Sequence, residues 1–223
     1  NNPCKKSVRS DIGKASDKKE ALTIAEQRKF LMCAAGNSYA DQFRFVLQTG
    51  LRTGELVGLR WDDIDFANQR MYITRTMEYR HSVGEWREGP PKSKSGVRTI
   101  PLTEEAIKIL KCQKQKHKEI KLIPIQWINQ VFLSKRHGEP VKNSTYDTAL
   151  LKICDKAEIR RFSMHILRHT FATRCIEAGM KPKTLQMILG HSNIGITMNL
   201  YVHATDDEKK KEIELVEDAL KIV

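Results

Sequence analysis

The chain has 223 residues, 40% hydrophobic and 30% charged, enough for one substantial domain or a domain with a small appendage. No apolar run approaches the roughly 18–20 residues of a bilayer-spanning helix, and no signal-peptide core is present at the start, which argues against a membrane protein. Lysine and arginine number 39 against 27 acidic residues, a formal +12, and that imbalance favours a polyanionic partner, nucleic acid above all, over a merely basic enzyme.

Residues 1–20, NNPCKKSVRSDIGKASDKKE, are polar, basic and aperiodic, and read as a linker that once followed another domain. ALTIAEQRKFLMCAAG opens a helix with a capping box, Thr23 to Glu26, and closes it at Gly36. YADQFRFVLQTG predicts an amphipathic helix with Phe43, Val46 and Leu47 on its buried side and Gly50 as its stop. WDDID reads as a helix-to-strand turn. MYITRTMEY (71–79) and VRTIPL (97–102) alternate as strands, joined by the long basic turn RHSVGEWREGPPKSKSG. Thr103 caps the next helix, basic in its later half, and QVFLS offers a short strand. From Ser144 onward helices are expected almost throughout: STYDTALLKICDKA, SMHILRHTFATR, KPKTLQMILG with Pro182 in its first turn, and a segment around Thr197–His203. The tail from residue 206 to 223 is amphipathic and wants a groove, on its own domain or a neighbour's. The fold class is therefore α+β, mainly helical, with one small antiparallel sheet. Cys4, Cys33, Cys112, Cys154 and Cys175 are scattered singly, without metal or disulfide spacing, and point to a reducing compartment.

SMHILRHTFATR (163–174) sets basic groups inside an apolar helix. Leu167, Phe171 and Cys175 share one side, Arg168 projects beside them, and His165 lies one turn earlier, so the two basic groups converge. An arginine there cannot shed its charge. Arg168 either pairs with an internal carboxylate or waits for an anionic ligand. Arg52 shows the same tension between Gly50 and the following helix, with Glu55 three residues on to orient it. GHSNIGITMNLY adds His191 at a glycine turn and Tyr201 ten residues later. Two guanidiniums, two imidazoles, a loop lysine and a tyrosine suit phosphoryl transfer to a tyrosine hydroxyl. Neither a metal-ligand cluster nor a phosphate-binding G-x-x-x-x-G-K-[ST] loop appears, so the arginines would hold phosphate oxygens by bidentate contacts.

TGLRTGEL, HILRHTFAT and LGHSNIGITMNLYVH resemble the three signature boxes of the tyrosine recombinases, the phage-integrase family, and PPKSKSGVRTIPL is similar to that family's basic hairpin. The likeness covers residues 20–205 and is nearest in character to integrases of mobile elements, conjugative transposons among them. It implies a catalytic domain at 21–205 whose site comprises Arg52 with its supporting Glu55, the hairpin lysine, the pair His165 and Arg168, His191, and Tyr201 as nucleophile. Lys92 is preferred as the hairpin lysine; Lys94 also fits the turn. It implies a site-specific DNA recombinase that cuts and rejoins strands through a 3′-phosphotyrosyl link, without metal or other cofactor. The implied partners are double-stranded DNA, further copies of the chain in a tetramer, and accessory DNA-bending or directionality proteins. A cytoplasmic, nucleoid-associated location goes with that activity. The basic hairpin and the helix around Lys108–Lys118 offer further phosphate contacts or simply a solvated face. Rival readings are a type IB topoisomerase-like enzyme, a catalytically silent DNA-binding accessory factor, and, with little weight, a metal nuclease using Asp62, Asp63 and Asp65.

Overall fold

A computed structural model describes residues 21–201. In chain order its elements are α1 (Ile24–Ala34), α2 (Ala40–Thr49), α3 (Thr53–Gly58), β1 (Ile64–Asp65), β2 (Arg70–Ile73), β3 (Thr76–Arg80), β4 (Glu85–Gly89), β5 (Arg98–Pro101), α4 (Glu104–Lys118), α5 (Asn143–Ala157), α6 (Met164–Glu177), α7 (Pro182–Leu189) and α8 (Ile194–Tyr201). The mainly helical α+β class expected from the sequence holds.

Local chemistry sets several helix ends. Glu26 N–H donates to Thr23 Oγ1 at 3.1 Å and Thr23 N–H donates to the Glu26 carboxylate at 2.8 Å, which satisfies two donors that a helix start leaves without partners. Thr103 Oγ1 likewise accepts from Ala106 N–H at the head of α4. Gly50 ends α2 at φ +64° and Gly190 ends α7 at φ +64°, left-handed positions that suit glycine. Ser163 stands at the N-cap of α6 but makes no side-chain cap bond.

The sheet region departs from expectation. The segment 71–79 is not one strand: β2 pairs with β5 (Met71 opposite Ile100, Ile73 opposite Arg98), and after Thr74 and Arg75 the chain turns into β3. Arg75 is ion-paired with Asp63, which holds the chain at that turn. β3 pairs with β4, Thr76 opposite Gly89 and Arg80 opposite Glu85, so the expected long turn itself contains a strand. There are thus two small antiparallel sheets among the described residues, β1-β2-β5 and β3-β4, where one was expected. β4 escaped the alternation test because only Trp86 and Gly89 of its five residues are even half-buried, Trp86 lying edge-on to Tyr79 and Trp127. QVFLS is not a strand either. Its residues make only isolated bridges, Arg60 with Gln130 and Leu133 with Pro140, and a proline partner has no N–H to extend a ladder. WDDID is the expected turn, a 3-10 segment (Trp61–Asp63) running into β1.

The main core gathers Phe30, Phe43, Phe45, Leu56, Met71, Ile100, Leu110, Phe132, Tyr146 and Leu167 between the helices and the inner face of the three-stranded sheet. A second, smaller cluster forms around Ala172, Leu185 and Leu189, with Phe171, Cys175, Leu200 and Tyr201 against it. α6 bridges the two: Leu167 belongs to the first, Phe171 and Cys175 to the second. The stripe seen in the sequence therefore serves two packing units, and the functional groups of α6 lie at their junction. Cys33, Cys112, Cys154 and Cys175 are thiols, and Cys4 lies outside the described residues.

Candidate active site

Arg52 is the N-cap residue of α3, two residues beyond the glycine that ends α2, so two helix termini flank its backbone. Glu55, one turn into α3, accepts from Arg52 N–H at 2.9 Å and from Arg52 Nη1 at 2.8 Å. The orienting role expected of Glu55 is present in geometry. Glu55 is 1% exposed, and its second partner was not foreseen: Arg98 on β5 donates Nη1 to Oε1 at 2.8 Å and Nη2 to Oε2 at 2.9 Å. Burial disfavours the Glu55 charge, but the forked bonds and charge of Arg98, then those of Arg52, outweigh it and hold the carboxyl below its ordinary pKa. Arg98 had a signal in the sequence. In VRTIPL it shares the period-two face of Ile100 and Leu102, which point inward, and an arginine on an inward face needs a buried partner.

Arg168 on α6 is 4% exposed, and its partners are neither a carboxylate nor bulk water. Nη1 donates to the Gly50 carbonyl and Nη2 to the Leu189 carbonyl, both at 2.6 Å. These oxygens stand at the C-terminal ends of α2 and α7, where unsatisfied carbonyls and the helix dipole concentrate partial negative charge. Arg52 Nη2 donates to Gly190 O at 3.1 Å, and Arg98 Nε to Ile188 O at 2.5 Å. One helix end, Ile188–Gly190, thus receives three arginines. Burial, then the charge of Arg52, draws Arg168 down to about 9, with Glu55 opposing; it remains protonated at neutral pH. Three guanidiniums against one carboxylate leave a net +2 around the end of α7, with Arg52 reaching solvent. That excess positive charge suits an anionic ligand.

The sequence-predicted residues border two adjoining hollows. A cleft of about 460 Å³ is lined by Arg52, Glu55, Lys92, Gly190 and His191 among others, and a smaller cavity of about 110 Å³ by His165, Arg168, His169 and His191. His191 and Ile196 line both, and His191 is the polar part of that shared wall. Its Nδ1 shares a hydrogen bond of 3.0 Å with Thr197 Oγ1 on α8. Burial first, then the charges of Arg168 and Arg52, lowers its pKa from 6.5 to about 4, so the ring is neutral at pH 7. His165 and His169 lie edge to face, ring centres 4.7 Å apart. Of the two candidate lysines, Lys92 borders the cleft and Lys94 does not line it.

Tyr201 is the one predicted member that the structure does not bring to this cluster. It closes α8, packs on the Ala172, Leu185 and Leu189 group, and its hydroxyl donates to the Met180 carbonyl at 2.5 Å, in the turn between α6 and α7. Burial raises its pKa above the ordinary tyrosine value. The hydroxyl is thus satisfied as a neutral group, and of α8 the small cavity is lined by Ile196 and Leu200, not by Tyr201.

Other sequence readings resolve more simply. Asp62 accepts from Asn129, Asp63 pairs with Arg75, and Asp65 accepts from Asn68 and Arg70, so the three carboxylates have separate partners and no common focus. On α4, Lys116 pairs with Asp41 at 2.6 Å and Lys114 lies over the rings of Trp61 and Phe66. All five lysines of α4, these two with Lys108, Lys111 and Lys118, are exposed. The expected linker at 1–20 and the tail at 206–223 lie outside the described residues. Among the described residues no helix is long and apolar enough to cross a membrane.

The chain is similar in sequence and in fold to known proteins. The model of the phage integrase family matches residues 17–208. The chain is 34% identical over 206 residues to the transposase of transposon Tn916 from Enterococcus faecalis, covering 88% of this chain and 51% of that protein. It is 31% identical to a XerC-like tyrosine recombinase of Caldanaerobacter subterraneus, over 89% of this chain and 54% of that one. The chain thus spans about half the length of these relatives. Its fold superposes on the Tn1549 transposon integrase, solved in complex with circular intermediate DNA, with a TM-score of 0.80 at 33% identity, over 91% of this chain and 68% of that one. A family match across nearly the whole chain, relatives above 30% identity and a shared fold lead to one conclusion: this chain belongs to the phage integrase family.

Proposed function

We propose that this chain carries the catalytic centre of a site-specific DNA recombinase of a mobile element, which integrates and excises DNA through a 3′-phosphotyrosyl intermediate. The observation that carries this reading is the meeting of Arg52 and Arg168, distant in sequence, at one helix end beside Lys92 and His191. A phosphodiester in the cleft supplies the anion that the net +2 calls for. Arg52 and Arg168 hold its two non-bridging oxygens as charge grows in the transition state. In this reading the neutral His191 ring accepts from the Thr197 hydroxyl through Nδ1 and offers its Nε2–H to a phosphate oxygen. The Tyr201 oxygen forms the new bond to phosphorus as its proton passes to His165. The bond from phosphorus to the 5′-oxygen breaks, and that oxygen takes a proton from Lys92. Attack by a 5′-hydroxyl of a partner duplex reverses the step and exchanges strands. The phosphotyrosyl link keeps the energy of the original bond, so no nucleotide cofactor is consumed.

For this chemistry Tyr201 must leave Met180. α8 can carry it, since Ile196 and Leu200 already form the wall of the Arg168 cavity. The wider reading has a linker at 1–20, the catalytic unit at 21–205, and a tail at 206–223 that docks on a neighbouring copy within a tetramer on duplex DNA, with accessory proteins setting direction. A cytoplasmic, nucleoid-associated location follows from that substrate.

A nicked suicide substrate tests the chemistry. Wild-type protein is expected to leave a denaturation-resistant adduct, and Tyr201→Phe to abolish it while DNA binding persists. An undiminished adduct from the phenylalanine variant places the nucleophile elsewhere. Relaxed supercoils without recombinant product favour the topoisomerase alternative, and no adduct from wild type favours a silent accessory factor.

A further inference from the structure

Arg98 is the most connected side chain near the cleft, yet it touches no position where DNA would react. Its guanidinium is 5% exposed. Four groups converge on it: both oxygens of Glu55, the Ile188 carbonyl at the end of α7, and the Gly96 carbonyl, which accepts from Nη1 at 2.9 Å. The first three contacts are a structural clamp, the Glu55 oxygens toward Arg52 and the Ile188 carbonyl toward the His191 turn. The last one belongs to the loop that bears the lysine. Gly190 lies so near that a Cβ there would meet Arg98 Cδ and Nη1 at 3.0 Å.

Gly96 leads back to Lys92 through contact alone. A Cβ on Gly96 would collide with Pro91 Cβ, so backbone and proline ring lie flush. Pro91 is buried, its φ is fixed by its ring, and Lys92 follows it directly. Gly96 N–H donates to Ser93 O at 2.9 Å, and the Ser93 and Ser95 hydroxyls lie 2.9 Å apart, which closes the loop on itself. An exposed lysine has many rotamers, and a fixed root limits how far its ammonium wanders. Lys94, in the middle of this loop, lines neither hollow.

We propose that Arg98 is a positioning residue for the general acid: through Gly96 and Pro91 it fixes the root of Lys92 relative to the Arg52–Glu55 pair. The inference rests on the recombinase reading, in which Lys92 protonates the departing 5′-oxygen. Arg98 itself contacts no reacting atom.

DNA with sulfur in place of the bridging 5′-oxygen separates this from a general structural effect. A thiol has a pKa near ~8.5, far below that of an alcohol, so the thiolate departs without a proton donor. Single-turnover adduct formation is measured on the ordinary and the 5′-thio suicide substrate for wild type, Lys92→Ala, Arg98→Gln and Gly96→Ala. DNA binding is followed by anisotropy and folding by circular dichroism. Lys92→Ala is expected to slow the ordinary substrate by roughly 10²–10⁴, the span of general acid catalysis, and to react within about fivefold of wild type on the thio substrate. Arg98→Gln and Gly96→Ala are expected to slow the ordinary substrate by at least ~10-fold and to regain most of that loss on the thio substrate, with binding little changed. Gly96→Ala keeps the Arg98–Glu55 clamp, and it decides the matter alone if Arg98→Gln unfolds. Equal slowing of both variants on both substrates, with Lys92→Ala rescued, overturns the inference and leaves the recombinase reading intact. A Lys92→Ala variant that sulfur fails to rescue removes the acid from the reading, and the role of Arg98 with it.

Discussion

At the scale of single residues the site is a balance of charge. Buried Arg168, nearly buried Arg98 and half-exposed Arg52 crowd beside one buried glutamate, and each guanidinium meets a carbonyl at a helix end. His191 gives that balance a measurable consequence. In the folded protein its pKa is about 4, against 6.5 for the ordinary side chain. Between those values the unfolded chain binds the proton and the folded one does not, so stability falls as pH drops from about 6.5 toward 4. The urea midpoint of the DNA-free protein is expected to decline over that window, and to decline less for His191→Asn. Identical slopes for the two proteins would show that the ring is not held neutral. The sequence exposed Arg52, Arg168 and His191 because basic groups in apolar or glycine-turn settings conflict with their surroundings. Arg98 drew no notice because one arginine at the head of a short strand conflicts with little until its inward neighbours are weighed.

At the scale of elements, helix termini do most of the positioning. The ends of α2 and α7 come together under α6, and both ends are glycines in the left-handed region. Gly50 is the more demanding of the two. A Cβ there would overlap the Phe171 ring and come within 3.0 Å of Leu189 Cδ2, and its carbonyl already receives Arg168. Gly50→Ala combines left-handed strain of ~1–2 kcal/mol with crowding of ~1–3 kcal/mol. A loss of about 2–5 kcal/mol in denaturant unfolding is expected, together with weaker adduct formation. A loss below ~0.5 kcal/mol would mean that Phe171 simply moves aside. Helix boundaries were legible because a cap involves residues only three or four apart: Thr23 with Glu26, Pro182 at the head of α7. Strand β4 and the break between β2 and β3 were not, because pairing partners lie across turns and the ribbon buries too little to leave an alternating pattern.

At the scale of the whole molecule, a formal charge of +12 predicts that the proposed DNA binding is salt-dependent, and the fold separates the lysines expected to contribute from those that are not. α4 runs antiparallel to α2: Thr103 at its head meets Gln48, beside the cleft, whereas Lys116 near its foot meets Asp41 at the opposite end of α2. The fifteen-residue helix thus carries its basic foot roughly 20 Å from the site. Neutralising Lys92 and Lys94 together is expected to reduce the slope of log affinity against log salt by nearly ~2, and neutralising Lys111 and Lys118 to leave it unchanged. A slope that falls equally for both pairs would bring the foot of α4 onto the DNA.

Helix ends and the acidic partner of Arg52 were legible in the sequence alone, because each depends on residue types a turn or two apart. Tertiary structure alone decided what Arg168 holds, where Arg98 points and where Tyr201 rests. Arg168 and the Gly50 carbonyl are 118 residues apart, and Tyr201 is bound to a backbone oxygen of Met180. A backbone carbonyl is the same in every residue, so such partners leave no mark in the order of side chains. They exist only once packing has brought the helix ends together.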